Sequence, residues 1–332
     1  MKRQNLLRTA GFLVILVILL QVFSIVFDGG YWFRKKLIYD RNARIAALDL
    51  EPEGQIDVIN IGDSLSTSAL SPLDLYRDYG ITSYNLGQDM QTPVEGYFAI
   101  LTALKKQPVR VVLLENHTFF YRLKDYNYIS ELVSEPLKTG FPFLRFHYLW
   151  RNYWKKRSIR TYYKGFLVND DHDAYTGGEY YDWNNEGRAY IYWLHELMLR
   201  RIAALCRRKG IALVLYSAPS PVNHRMTIHN KTSDLAEELG IYYIDANYDR
   251  DLISIDWEQD TNDFGDHLNL TGSKKMTRYI GDFLAENFNL PDHREDPSYR
   301  SWSDLLASYE ETCREMKGTC YSLMEEALGF DD

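Results

Sequence analysis

Cysteine is scarce. The 332-residue chain carries three, with no CxxC pair and no His-rich spacing, so nothing reads as a zinc site and no metal is expected. Cys206, in the helical stretch AALCRRKG, reads as a small core residue. Cys313 and Cys320 flank a Lys-Gly pair that reads as a turn; a disulfide in an oxidising compartment and two thiols fit equally well. Excess positive charge is also missing. The formal net charge is −8, which argues against nucleic acid as the main partner, because a phosphate backbone needs a basic surface. No GxGxxG follows the first strand-like run and no GxxxxGKS/T occurs anywhere, so a nucleotide-binding α/β protein is disfavoured and no cofactor is expected. Internal repeats and low-complexity stretches are absent too. With 45% hydrophobic and 25% charged residues, the composition is globular rather than disordered.

One long apolar run is present. Lys2, Arg3 and Arg8 precede an apolar segment from Ala10 to Phe27, broken only by Gln21 and Ser24. Eighteen helical residues span ~27 Å, roughly a hydrocarbon core. No small-x-small cleavage site follows it, so residues 1–28 read as an uncleaved anchor rather than a signal peptide. Arg34, Lys35 and Lys36 balance the basic residues on the other side, so the positive-inside rule alone does not orient the chain. A short basic N-terminus usually stays inside, which places residues 28–332 outside the cytoplasmic membrane, with Tyr31 and Trp32 at the interface.

Residues 29–54 read as a polar, partly helical stalk. A strand–helix rhythm then begins. IDVINIG, ITSYNLG, VRVVLLE, IALVLYSAP and IYYID read as buried strands. Ser71-Pro72 and the capping box Thr92-Pro93-Val94-Glu95 open helices between them. Further helices are expected from Glu186 to Arg208, around Asn230–Leu239, from Thr271 to about Phe288, and over Ser301–Met316. This predicts an α/β doubly wound parallel sheet over residues 55–290, with three flavodoxin-like layers. Between about 117 and 185 the chain turns aromatic and irregular, and reads as an insertion over the active-site edge. Residues 291–332 form a polar, helical tail. Tyrosine is abundant, at 26 residues; such side chains suit carbohydrate surfaces, and ordinary cores equally.

The candidate chemistry falls at the carboxyl ends of these strands, where open α/β sheets bind ligands. Gly62-Asp63-Ser64-Leu65 follows the first strand, placing a serine at the sheet edge; alone, it would equally be an Asp-Ser helix cap. Asn85-Leu86-Gly87 ends the second strand and leaves a glycine N–H to point into the cleft. Glu115-Asn116-His117 ends the third. Asp263-Phe264-Gly265-Asp266-His267-Leu268-Asn269 precedes the last helix of the rhythm. The order is serine early, candidate oxyanion donors between, aspartate and histidine late.

In order and spacing these parts resemble the SGNH/GDSL hydrolase superfamily over roughly residues 56–288. GDSL and DHLNLTG match its first and fifth blocks. The anchor and insertion make the chain similar to a cell-envelope subgroup that includes proteins of teichoic-acid D-alanylation and polysaccharide O-acetylation. The resemblance implies Ser64 as nucleophile, His267 as general base and then acid, and an aspartate that fixes the imidazole. It further implies an oxyanion site from the Ser64 and Gly87 N–H groups and the Asn116 side chain. Two positions depart from the family pattern. The usual aspartate lies three residues before the histidine, where Phe264 stands. Asp263 is preferred if Phe264-Gly265 makes a turn, because neighbouring side chains in an extended segment diverge and Asp266 cannot easily orient its own neighbour. The family's third-block asparagine follows a glycine; here the strand reads LLENHT, leaving Asn116 as the simplest donor and His117 as the alternative.

Gln88, His117, His147, Trp150, Ser220 and His224 are further candidates for contacting substrate. Asp170-Asp171-His172-Asp173 reads as a solvated loop. The implied partners are an envelope glycan or teichoic-acid-like polymer, a membrane-bound acyl-donor enzyme, and the membrane itself through residues 10–27. The altered aspartate spacing and third block motivate a competing reading, a catalytically silent polymer-binding protein.

Overall fold

A computed structural model describes residues 2–26, 41–120, 125–146 and 162–328. The chain divides into two compact units, Met1–Glu51 with Leu123–Arg160, and Pro52–Arg122 with Thr161–Asp332.

The second unit is built on a five-stranded, all-parallel sheet. Its strands are β1 (Val58–Ile61), β2 (Ser83–Asn85), β3 (Val111–Glu115), β6 (Ala212–Ser217) and β7 (Tyr242–Asp245), in the order β2-β1-β3-β6-β7. Every one coincides with a run read as a strand from sequence. Both faces are covered, so the strands are apolar on both sides. Val58, Val111, Leu113, Val214 and Tyr216 share one core with Leu75, Met276, Ile280 and Leu284 of helices Pro72–Tyr79 and Leu270–Asn287. The alternating residues Ile59, Val112, Leu213 and Leu215 are equally buried on the other face, which helices Pro93–Ala103 and Trp193–Lys209 cover. The capping box at Thr92 forms with both bonds present. Ser71 caps its helix by accepting from the Asp74 N–H. Short hairpins add β4 (Tyr162–Tyr163), β5 (Phe166–Leu167), β8 (Thr261–Asn262) and β9 (His267–Leu268).

Strand order reverses direction between β1 and β3. That is the topological switch point, where a crevice opens beyond the carboxyl ends of the strands. Gly62 leaves β1 there with φ +143°, and a Cβ on it would lie 2.6 Å from Glu115 Cβ. Only glycine lets the chain turn so close to the end of β3.

Several expectations need correction. The helix expected from Glu186 starts at Trp193. The groups of residues 185–189 are bonded to the following helix instead: Asn230 Nδ2 donates to the Asn185 and Gly187 carbonyls, and the Ala189 N–H donates to Thr227 O. The insertion is not irregular throughout, since helices Asp125–Gly140 and Pro142–Phe146 lie within it. Surrounding aromatics hid the helical spacing of Ile129, Val133 and Leu137. Helix Arg300–Leu328 runs unbroken through the Lys-Gly pair expected to turn. Seven helical rises set Cys313 and Cys320 about 10.5 Å apart along the axis, beyond the ~7 Å that a disulfide tolerates. That helix is anchored into the unit: Trp302 and Tyr309 are fully buried, and the Tyr309 hydroxyl donates to Asp74 Oδ2.

In the first unit, helix Lys2–Val26 contains a 23-residue apolar stretch, Gln4–Val26, long and apolar enough to cross a membrane. Phe143 packs on Phe23 with ring centroids 5.3 Å apart, and its N–H donates to Ser24 Oγ. Arg145 joins Glu135 at 2.8 Å, and Glu135 also pairs with Lys138.

Candidate active site

Ser64 opens helix Ser64–Ala69, and Asp63 is that helix's N-cap, accepting from the Leu65 N–H at 3.1 Å. The cap reading and the nucleophile reading therefore hold together: the turn that caps the helix also lifts Ser64 to the crevice. No protein acceptor takes the Ser64 N–H among the described residues.

His267 comes from the far side of the sheet, on the β8–β9 hairpin that follows β7. Its Nε2 lies 2.8 Å from Ser64 Oγ, and its Nδ1 lies 2.7 Å from Asp263 Oδ2. The His267 backbone N–H donates to Asp263 Oδ1 at 2.8 Å, so both carboxylate oxygens hold this one residue. The geometry needs a tight turn. Asp263, Phe264 and Gly265 have φ of +50°, +59° and +88°. Two consecutive non-glycine residues in the left-handed region cost roughly 1–2 kcal/mol each. The left-handed turn brings Asp263 back over His267 despite the four-residue spacing. Asp266 Oδ1 is farther from Nδ1, at 3.7 Å, and accepts from Asn223 Nδ2.

The turn is braced on all sides. Gly265 N–H donates to Thr261 Oγ1, and Phe264 N–H to Asp173 O. Ser220 Oγ lies within hydrogen-bonding distance of the Gly265 and Asp266 carbonyls. Tyr175 packs on Gly265, where a Cβ would lie 3.0 Å from that of the tyrosine. Sequence reasoning missed Thr261, Asn223, Tyr175 and the Asp173 carbonyl. A solvated loop and a polar PVN stretch carry no signal that they buttress a turn far along the chain.

The other predicted site residues scatter. Gly87 lies beside the nucleophile's helix, but its N–H is not free: it donates to Asn85 Oδ1 at 3.1 Å. Asn116 is fully buried with Nδ2 donating to Thr232 Oγ1 at 2.9 Å, so it does not present its amide as an oxyanion donor. The cause is a short 3-10 helix after β3, Asn116–Phe119, which turns Asn116 inward toward helix Met226–Leu239 and His117 toward Asp63. His117 Nδ1 lies 2.6 Å from Asp63 Oδ2. Gln88 is buried; its N–H donates to Gly62 O, and its side-chain amide has no protein partner among the described residues. Ser220 is fully buried and braces the histidine loop, so it is no substrate contact. His224 is 1% exposed and is no substrate contact either. His147 and Trp150 lie outside the described residues.

Behind the nucleophile is a buried polar network. Glu115 Oε2 accepts the His117 N–H at 2.9 Å, and Glu115 Oε1 lies 3.2 Å from His224 Nε2. Burial raises the Glu115 carboxyl well above its ordinary range, and the Asp63 charge adds to this. Burial also lowers His224 to about 4. Both shifts act in the same direction, favouring a neutral hydrogen bond between Glu115 and His224 over an ion pair. Asp263, Asp266 and His267 offer ligand atoms within 4.8 Å of one another, but both ring nitrogens of His267 are already engaged.

No family model matches the chain, and no curated protein does. Among solved structures it is similar to a GDSL-like lipase from Bacteroides thetaiotaomicron (12% identity, 74% of this chain and 97% of that one, TM-score 0.39). It is also similar to a lipase/acylhydrolase from Enterococcus faecalis (12%, 71% and 99%, 0.38). A third is an acetylxylan esterase from Geobacillus stearothermophilus, solved as a catalytic mutant (12%, 71% and 96%, 0.36). Likenesses this distant carry no weight for the chemistry, which has to come from the side chains.

Proposed function

We propose that the chain is a serine-dependent ester hydrolase or O-acyltransferase of the SGNH/GDSL type. The observation that carries this is the relay Asp263–His267–Ser64, with links of 2.7 and 2.8 Å. The carboxylate fixes the imidazole with its Nε2 lone pair toward Ser64 Oγ. Attack of Oγ on an acyl carbonyl sends the hydroxyl proton to Nε2. His267 then returns it to the leaving alcohol, giving an acyl-Ser64 intermediate. Water or a polymer hydroxyl resolves the acyl group. We assign the oxyanion to the Ser64 N–H and to His117, whose Nδ1 lies 2.6 Å from Asp63 Oδ2, the N-cap of the nucleophile's helix.

The apolar helix Lys2–Val26 supports a single-pass anchor with the remainder outside the cytoplasmic membrane. A polymer of the cell envelope, a glycan or teichoic-acid-like chain, is the acyl-bearing substrate or acceptor, served by a membrane-bound acyl-donor enzyme. The competing reading, a catalytically silent polymer-binding protein, draws on the occupied Gly87 N–H and Asn116 amide. Fluorophosphonate labelling read by intact mass separates the two. Labelling of the wild type that is lost in Ser64→Ala supports the enzyme; no labelling of the folded wild type supports the silent protein.

A further inference from the structure

We infer that helix Asp125–Gly140 lies in the membrane–water interface, with Ile129, Val133 and Leu137 buried in lipid. Three observations converge. These residues recur every four positions, which puts them on one helix face, and they are 62%, 62% and 46% exposed. A contiguous apolar stripe left in water marks a surface with an occupant. On the opposite face Glu135 is buried and holds both Lys138 and Arg145 at 2.8 Å. The helix is therefore amphipathic, with an apolar stripe outward and Glu135 turned inward.

The occupant follows from the unit's own connections. Helix Pro142–Phe146 begins two residues after Gly140. Through Phe143 it clamps the last turn of the apolar helix, at Phe23 and Ser24. If that helix spans the bilayer, its last turn marks the level where hydrocarbon gives way to headgroups. Helix Asp125–Gly140 packs on helix Pro142–Phe146, which in turn packs on the apolar helix. A lipid surface fits better than a soluble partner, because the same unit already exposes an apolar helix, Gln4–Val26, only 6% buried. The inference rests on reading Lys2–Val26 as a membrane span.

The test uses the full chain in phosphatidylcholine–phosphatidylglycerol vesicles. Ile129→Cys, Val133→Cys and Leu137→Cys, each in a Cys320→Ser background, carry a polarity-sensitive fluorophore; Glu258→Cys is the exposed control. Serine-directed labelling, or circular dichroism if Ser64 proves inert, confirms that each variant is folded. The expected result is blue-shifted emission at the three stripe positions, cut about twofold by lipids brominated near the headgroup, matching insertion of ~5–10 Å. The control stays water-like. A chain that floats with vesicles while the stripe labels stay water-like overturns the inference and spares the anchor. Blue-shifted labels that brominated lipids do not quench put the stripe against protein, such as a second copy, and overturn it also. A chain that does not float with vesicles overturns the anchor and this inference together.

Discussion

Replacing Asp263 by asparagine separates the two aspartates. The carboxylate takes two hydrogen bonds from one residue, the His267 backbone N–H and ring Nδ1. An asparagine can satisfy only one. With its oxygen toward Nδ1, its amide N–H meets the His267 backbone N–H, donor against donor. With its oxygen toward the backbone, the amide faces Nδ1 and forces the proton onto Nε2, where it blocks transfer from Ser64. A wrong tautomer of this kind has cost roughly 10⁴ in kcat in a buried triad. Asp263 is 49% exposed, so water screens its charge, and a loss of about 10²–10³-fold, near 3–4 kcal/mol, is the better estimate. For Asp266→Asn, the charge removed is 3.7 Å from Nδ1. In water-like surroundings that is worth about 1 kcal/mol, under tenfold. The assay is p-nitrophenyl acetate hydrolysis, with the rate of fluorophosphonate labelling at Ser64 as a second readout. Equal losses, or a larger loss for Asp266→Asn, would refute the assignment.

His117→Ala should lower kcat by about 10²-fold with KM little changed, the cost of one oxyanion donor. Asn116→Ala should instead cost about 1–2 kcal/mol of stability through its buried bond to Thr232 and leave kcat within a few-fold; steady-state kinetics that reverse this ranking would return the oxyanion role to Asn116. Glu115 and His224 predict opposing pH effects. Neutral His224, lowered from 6.5 to about 4, contributes stability that is present above pH 6.5 and lost as pH falls toward 4, up to about 3 kcal/mol. Glu115, its carboxyl raised by burial, contributes stability at low pH that is lost as pH rises. Glu115→Gln keeps the neutral shape, so its urea midpoint should exceed the wild type's at pH 7 and fall more steeply by pH 5. A lower midpoint at pH 7 would mean that Glu115 is ionised in the folded protein.

The amino-acid sequence alone determined the sheet. Its five strands are short apolar runs, and helix caps such as Ser71 and the Thr92–Glu95 box are local hydrogen-bond devices that need no distant partner. It also brought Ser64 and His267 together, because both follow strands of one parallel sheet and so emerge at the same edge. Among the aspartates, the four-residue spacing with a glycine was legible as a turn. The left-handed conformations of Asp263 and Phe264 were not, since they exist only because Thr261, Asp173, Ser220 and Tyr175 brace them from remote parts of the chain. Only the tertiary structure decided which polar groups face the crevice. Asn85, Thr232 and Glu115 compete for the N–H and ring groups of Gly87, Asn116 and His224, and a buried polar atom takes the nearest partner. That competition is settled by packing, and no local pattern encodes it.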